Sequence, residues 1–281
     1  NNDDAIHIGL IAHMDTTCIQ ITKILSNGLL QFRSIGLCPH LLLGQNMKIL
    51  AFDSTALTAT VALCEDGHLL GEITLNNGNT HSQTLLPMVE FLLDKFELSP
   101  IDIDLFAVSA GPGSFTGVRI GAATVKGLAF GRETPCAGVS TLEALAYNLC
   151  DHDGLICPVM NARRQQVYTA LFRCKNGVLE RLMPDSAIAI TELDAHLSQY
   201  DEPGRLCGDG DDVTLPLMTH TVIPTSERYR HQSAYSVAQV ARRMYEGGEV
   251  CTDITLSPIY LRLSQAERER AERMGGVDTG I

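Results

Sequence analysis

The sequence predicts an α/β fold of two lobes, each a mixed β-sheet flanked by helices, and three observations carry that expectation. Short apolar runs closed by Gly, Asp or Asn alternate with segments whose apolar residues recur at helical spacing. Three strand-like runs follow Met47 before any helical segment, and strands and helices alternate afterwards, a pattern that layers helices over a mixed sheet. A polar, hinge-like stretch, Asp151-His152-Asp153-Gly154, then separates two such groups. The expected organisation is an extension over residues 1–46, a first lobe over 47–150, a second lobe over 151–262 and a charged tail over 263–281.

The extension reads poorly as an independent domain, since below about 40 residues a core seldom sustains itself. It contains IGLIAHM and GLCPHLLLG, but no basic segment leading into an apolar run with a small-residue cleavage site, so a signal peptide is not expected. Met47 looks like a natural beginning, with a strand starting almost at once, and no function is assigned to residues 1–46.

In the first lobe, KILAFDSTA, TATVALCEDG and HLLGEITL read as three antiparallel strands, the second and third joined at the Asp66-Gly67 turn. From about Ser82, the residues Leu85, Leu86, Val89, Leu92 and Leu93 recur at helical spacing, with Pro87 expected in the first turn, where proline is tolerated. The stretch 108–131, VSAGPGSFTGVRIGAATVKGLAFG, is the most informative. A buried strand over 105–110 meets the Gly111-Pro112-Gly113 loop, and a helix capped by Ser114 or Thr116 runs from about Phe115 to a stop at Gly131. Gly117 and Gly121 lie four apart and share one helical face, so something must come close there. The lysine and hydroxyl of a Walker A loop are absent, which leaves phosphate contact at this helix start a weak option beside close packing within the lobe or against a second protein. A strand over 135–139 and a helix from Ser140 to about Leu149 complete the lobe.

In the second lobe, residues 155–161 and 166–172 form a hairpin around Ala162-Arg163-Arg164-Gln165, followed by a third strand over 178–183. A strand edge then leads into a helix opening at Thr191. A short strand runs into Gly208-Asp209-Gly210, a loop whose neighbours Asp211 and Asp212 would repel an anion. Residues 233–246 form a clear helix ended by Gly247-Gly248, and the tail after Arg262 reads as a frayed helix and then disorder.

Composition bounds the function. The formal charge of −12 argues against this chain gripping a nucleic-acid backbone by itself. No run of 18 or more apolar residues suggests a membrane span. Nine cysteines with no C-x-x-C pair fit neither a disulfide framework nor a zinc ribbon and suit a reducing cytoplasm, with structural roles expected for all of them.

The segment GPGSFTGVRIG at 111–121, preceded by FDSTALTATVAL at 52–63 and HSQTLLPMV at 81–89, resembles the bacterial TsaB (YeaZ) family. GVSTLEALAY at 138–147, the Ala162-Arg163 and Val167-Tyr168 pieces and Pro258-Ile259-Tyr260-Leu261-Arg262 extend the resemblance from Met47 to about Arg262. It implies the actin-like, ribonuclease-H-like (ASKHA) fold, which the β-β-β-α-β-α-β-α order of the first lobe also resembles. It further implies a non-catalytic scaffold that activates a TsaD-like catalytic subunit, which transfers a threonylcarbamoyl group to adenosine 37 of tRNA. A TsaE-like ATPase joins that assembly, so ATP and magnesium are used through partners, with no intrinsic cofactor here. tRNA is met only indirectly, and a homodimer is expected when the chain is alone. One departure is Asn161-Ala162-Arg163, where relatives usually carry Asp-Ala-Arg.

The partner interface is expected on the first-lobe helices, at His81, Leu85, Val89, Ser114, Phe115, Gly117, Val118, Gly121, Thr124 and Val125. Asp53, Ser54, Thr55 and Arg163 are the nucleotide-proximal candidates. Asp53 could serve a hydrated magnesium ion, or simply make local bonds at a strand end. The resemblance places the metal-binding histidines of catalytic relatives where this chain has Thr141 and Leu145, so no metal site is expected. A lone His81 reads as structural or partner-contacting, and Ser114 does not fit a G-x-S-x-G nucleophile elbow. The alternative reading is an active actin-like small-molecule kinase or ATPase.

Overall fold

The computed structural model describes residues 19–24, 30–34 and 46–262. The tail from residue 263 onward, and most of the extension, lie outside the described residues. Within the extension, strands β1 (Ile19–Ile24) and β2 (Leu30–Ser34) pair antiparallel.

The first sheet contains β3 (Lys48–Asp53), β4 (Ala59–Glu65), β5 (His68–Leu75), β6 (Leu105–Gly111) and β7 (Cys136–Ser140), in the order β5-β4-β3-β6-β7. The antiparallel β3-β4-β5 set is joined through Asp66 and Gly67, both at positive φ, while β6 and β7 run parallel to β3 and each other. Strand alternation sends Leu50, Phe52, Phe106 and Val108 to one face and Ile49, Ala51, Leu105 and Ala107 to the other, and both faces are buried. Helices α1 (His81–Lys95) and α2 (Phe115–Ala129) cover the first face through Leu85, Met88, Val89, Leu92 and Val125. Burying a Phe52 or a Phe106 there contributes roughly 2 kcal/mol apiece.

The second sheet repeats this topology. Strands β8 (Gly154–Asn161), β9 (Gln166–Lys175), β10 (Val178–Ala189), β11 (Gly204–Cys207) and β12 (Val222–Pro224) are ordered β10-β9-β8-β11-β12, antiparallel through β10 and parallel through β11 and β12. Two sheets with one strand order, each covered by helices, are the actin-like α/β duplication. β10 runs past the expected end near Met183 because two register shifts around Pro184 bend the strand on.

The helices do not stay with the lobe in which their sequence lies. Helix α3 (Thr141–Tyr147), read as the last element of the first lobe, packs Leu142, Leu145 and Ala146 against Ile156, Met160 and Phe172 of the second sheet. Helix α4 (Ile190–Leu197) covers that sheet's opposite face. After two single-turn helices, α5 (Asp211–Thr214) and α6 (Glu227–Arg230), helix α7 (Ala234–Glu246) returns to the first sheet, placing Val237, Ala238 and Ala241 over Ala51, Ala62 and Ala107. The exchange ties each half to a helix from the other. A second difference concerns Pro87, which lies inside α1 rather than in its first turn; it is exposed, so water can take the carbonyl that its missing N–H leaves open.

Candidate functional site: the cleft between the lobes

Strands β3 and β6 are adjacent and parallel, so their C-terminal ends open on the same edge of the first sheet. β3 ends at Asp53 and feeds residues 54–58. β6 ends in the Gly111-Pro112-Gly113 loop, and Ser114 caps α2 by accepting from the Gly117 N–H. The end of β8 and the loop after β11 face them from the second lobe. Between them lies a cleft of about 550 Å³, lined by Thr55, Gly113, Ser114, Phe115, Asn161, Arg163, Tyr168 and Asp209, among others.

Of the nucleotide-proximal candidates, the cleft brings together Thr55 and Arg163. Asp53 and Ser54 lie beneath it, fully buried, and do not line it. Asp53 Oδ1 accepts from both the Thr55 N–H and its hydroxyl at 2.8 Å, while Oδ2 has no hydrogen-bond partner among the described residues. Burial pushes the carboxyl up from its ordinary value, against the opposing pull of Ser109, Thr55 and His81. Ser54 donates its hydroxyl to the Gly117 carbonyl at 2.9 Å.

A nucleotide with magnesium, as the fold implies, needs an accessible carboxylate and free backbone donors. Asp53 does not meet the first need, nor Ser114 the second. Asp53 is sealed behind Thr55, and the Ser114 N–H is spent on the Thr55 carbonyl at 2.7 Å. The Gly111 carbon, at φ +122°, is covered by the Ile259 carbonyl, which sits 2.3 Å from where a Cβ would be. Thr141 and Leu145 are both wholly buried, Leu145 in the core of the second sheet.

Most of the expected interface lies inside the lobe. Gly117 and Gly121 face Ser54 and Val108 of their own sheet: a Cβ on Gly117 would stand 1.9 Å from the Ser54 carbonyl, and one on Gly121 2.8 Å from its hydroxyl. Leu85, Val89, Val118 and Val125 are core residues, at most 1% exposed. These six are corrected from interface to packing residues, because the close approach the glycines permit is taken by the loop after β3. His81 donates from Nε2 to the Ala56 carbonyl at 2.7 Å and so ties α1 to that loop. Thr124 is half-buried and bonds the Ile120 carbonyl, while Ser114 and Phe115 border the cleft.

Sequence reasoning missed a strap. Residues 251–262 run from the β7 edge, where Cys251 pairs with Cys136, across the glycine loop to the second lobe. The Ile259 N–H donates to the Ala110 carbonyl at 2.7 Å. Tyr260 stacks on Phe115 with centroids 4.4 Å apart and accepts from Arg119 Nε at 2.8 Å, and Arg262 Nη1 donates to the Ala162 carbonyl at 2.8 Å. The only signal in the sequence is the Pro258–Arg262 motif, which carries no periodicity. Asn161 is also explained: its Oδ1 accepts from the Arg163 N–H at 2.8 Å, so an amide holds the turn as a carboxylate would.

A family model described as TsaD, tRNA N6-adenosine threonylcarbamoyltransferase, matches residues 68–254. The Bacillus subtilis tRNA threonylcarbamoyladenosine biosynthesis protein TsaB is 35% identical over 230 residues, 80% of this chain and 99% of that protein. The chain belongs to the TsaB family. Escherichia coli TsaB is 40% identical over 220 residues, covering 77% of this chain and 95% of its own length. A solved Pseudomonas aeruginosa structure, described as similar to peptidase YeaZ, superposes with a TM-score of 0.70 at 26% identity, covering 77% of this chain and all of that one. A second family model, M42 glutamyl aminopeptidase, matches residues 1–84, a span that includes the extension and β3 to β5 of the TsaB-like first lobe. Among the described residues, no group of three His, Cys, Asp or Glu side chains is placed to hold a metal ion, and no helix is long and apolar enough to cross a membrane.

Proposed function

We propose that this TsaB-family chain serves tRNA threonylcarbamoyladenosine biosynthesis as a non-catalytic subunit that binds and activates a TsaD-like catalytic partner. The observation that carries the reading is the sealing of the strand-end acid: Asp53 is buried beneath the cleft behind Thr55, and the Ile259 carbonyl covers Gly111 beside it. A carboxylate sealed in this way cannot reach a metal-bound phosphate, while the surface around it remains available to a partner. The formal charge of −12 agrees with tRNA being gripped by a partner rather than by this chain. ATP and magnesium then act through partners, including a TsaE-like ATPase.

The partner surface is the outward face of α1 and α2, not the glycine stripe. Leu86 and Phe91 on α1 are 46% and 55% exposed, and Phe130 just past α2 is 77% exposed, apolar side chains that a docked partner would cover. The same face gives a homodimer when the partner is missing. The test is co-purification with a TsaD-like protein, comparing the native chain with Phe91→Glu. Loss of the complex with an unchanged melting temperature supports the proposal. A complex that survives it moves the interface, and magnesium-ATP turnover by the isolated chain would replace the scaffold with the kinase or ATPase reading.

A further inference from the structure

Cysteine spacing gives no pairing rule here, but the fold brings two cysteines face to face. Cys136 opens β7 at the edge of the first sheet, and Cys251 begins the strap, 115 positions later. They form an isolated antiparallel bridge and exchange both backbone hydrogen bonds, each 2.8 Å from nitrogen to oxygen. In such a pair the Cα atoms stand about 5.5 Å apart and the side chains leave on the same side. That separation falls inside the roughly 4.4–6.8 Å window in which a disulfide closes. Both side chains enter the same apolar cluster, and Cys251 Sγ already lies over its opposite residue, 3.2 Å from the Cys136 carbonyl. Neither is bonded to another cysteine.

We propose that Cys136 and Cys251 form an oxidisable dithiol, a modification site at which a low-molecular-weight disulfide closes an internal bond that anchors the root of the strap to the first sheet. Cys251 is half-buried and Cys136 fully buried, so Cys251 reacts first. Its thiolate attacks one sulfur of the reagent disulfide, forming a mixed disulfide and releasing one reagent thiolate. The Cys136 thiolate then attacks Cys251 Sγ, closing the protein disulfide and expelling the second reagent thiolate. The two protons given up by the cysteines end on the two reagent thiols, and the reagent is reduced by the two electrons the cysteines lose. Burial raises both thiols, Cys136 to about 12, so each attack is slow, and the second gains from a mixed disulfide that stands directly opposite it.

The site matters because it roots the strap. Eight residues beyond Cys251 the strap covers Gly111, then stacks on Phe115 and bonds the second-lobe hairpin at Ala162. Fixing its root shortens the free segment that must order to make those contacts.

The experiment is incubation of the full chain with oxidised glutathione under native conditions, followed by alkylation, intact mass and peptide mapping. The expected result is a protein two hydrogens lighter, with one linked peptide pair joining Cys136 to Cys251, reversed by dithiothreitol. Hydrogen exchange over residues 251–262 slows in the oxidised form. Cys251→Ser and, separately, Cys136→Ala each abolish the linkage. A glutathione adduct that persists on Cys251, a linkage of Cys251 to any other cysteine, or no change in mass would overturn the proposal. The native chain alone decides it, whichever variant folds poorly.

Discussion

The carbonyl oxygen of Ser54 occupies the space that a side chain on Gly117 would need, 1.9 Å from where its Cβ would stand. The loop after β3 and the first turn of α2 are therefore one packed unit, closed further by the Ser54 hydroxyl bond to the Gly117 carbonyl. Gly117→Ala forces backbone against backbone, and the expected loss is about 3 kcal/mol, at the upper end of overpacking effects. Urea unfolding measures it. Gly121→Arg should likewise damage the monomer, since its Cβ would meet Ser54 Oγ and Val108. A well-folded Gly121→Arg chain would contradict this account of the stripe.

Leu86 and Phe91 stand on the opposite side of the same helix layer, half or more exposed in Phe91's case at 55%. Leu86→Arg and Phe91→Glu remove no core contact and should change stability by no more than about 0.5 kcal/mol. Under the proposed function, sedimentation should find the isolated native chain dimeric and both variants shifted toward monomer. Retention of the dimer would place self-association elsewhere.

Strand-loop-helix punctuation made the longer elements of both lobes legible, because alternation, Asp-Gly turns and serine caps are local signals, while the short α5, β12 and α6 between residues 211 and 230 were not read. The Ser114 cap and the Asp66-Gly67 turn are examples. What was not legible was direction. Gly117 and Gly121 announce that something approaches closely, but helical spacing cannot say whether it is the Ser54 loop or another chain. Nor can it say that α7 crosses back to cover Ala51 and Ala107, because an amphipathic face carries no address. Asp53 is legible as a strand end, while its sealing depends on Thr55 folding back on it, a three-dimensional fact.

Tyr260 joins the strap to α2 through its ring on Phe115 and its hydroxyl to Arg119. Tyr260→Phe keeps the stack and loses one hydrogen bond, an expected effect of about 1 kcal/mol. Tyr260→Ala also removes the stack, worth roughly another 1 kcal/mol beyond its buried area. Limited proteolysis should show the strap cut faster in the order native, Tyr260→Phe, Tyr260→Ala. Equal rates in all three would mean that Ile259 and Arg262 alone hold the strap.

Asp53 gives a pH dependence whose sign is set by burial. Its carboxyl is raised above the ordinary value of 3.8, so the folded chain holds a proton there that the unfolded chain has already released. Stability therefore falls as pH rises from about that ordinary value through the raised folded one, because the folded state binds more protons across the window. Below the window both states are protonated and the penalty is absent. Asp53→Asn preserves the oxygen that accepts from Thr55 and removes the buried charge. The variant should be more stable than the native chain at neutral pH, and its advantage should shrink as the pH is lowered through the window. Urea midpoints measured from acid to neutral pH for both proteins check this. Parallel curves would mean that Asp53 stays charged when folded, with Ser109, Thr55 and His81 together outweighing its burial.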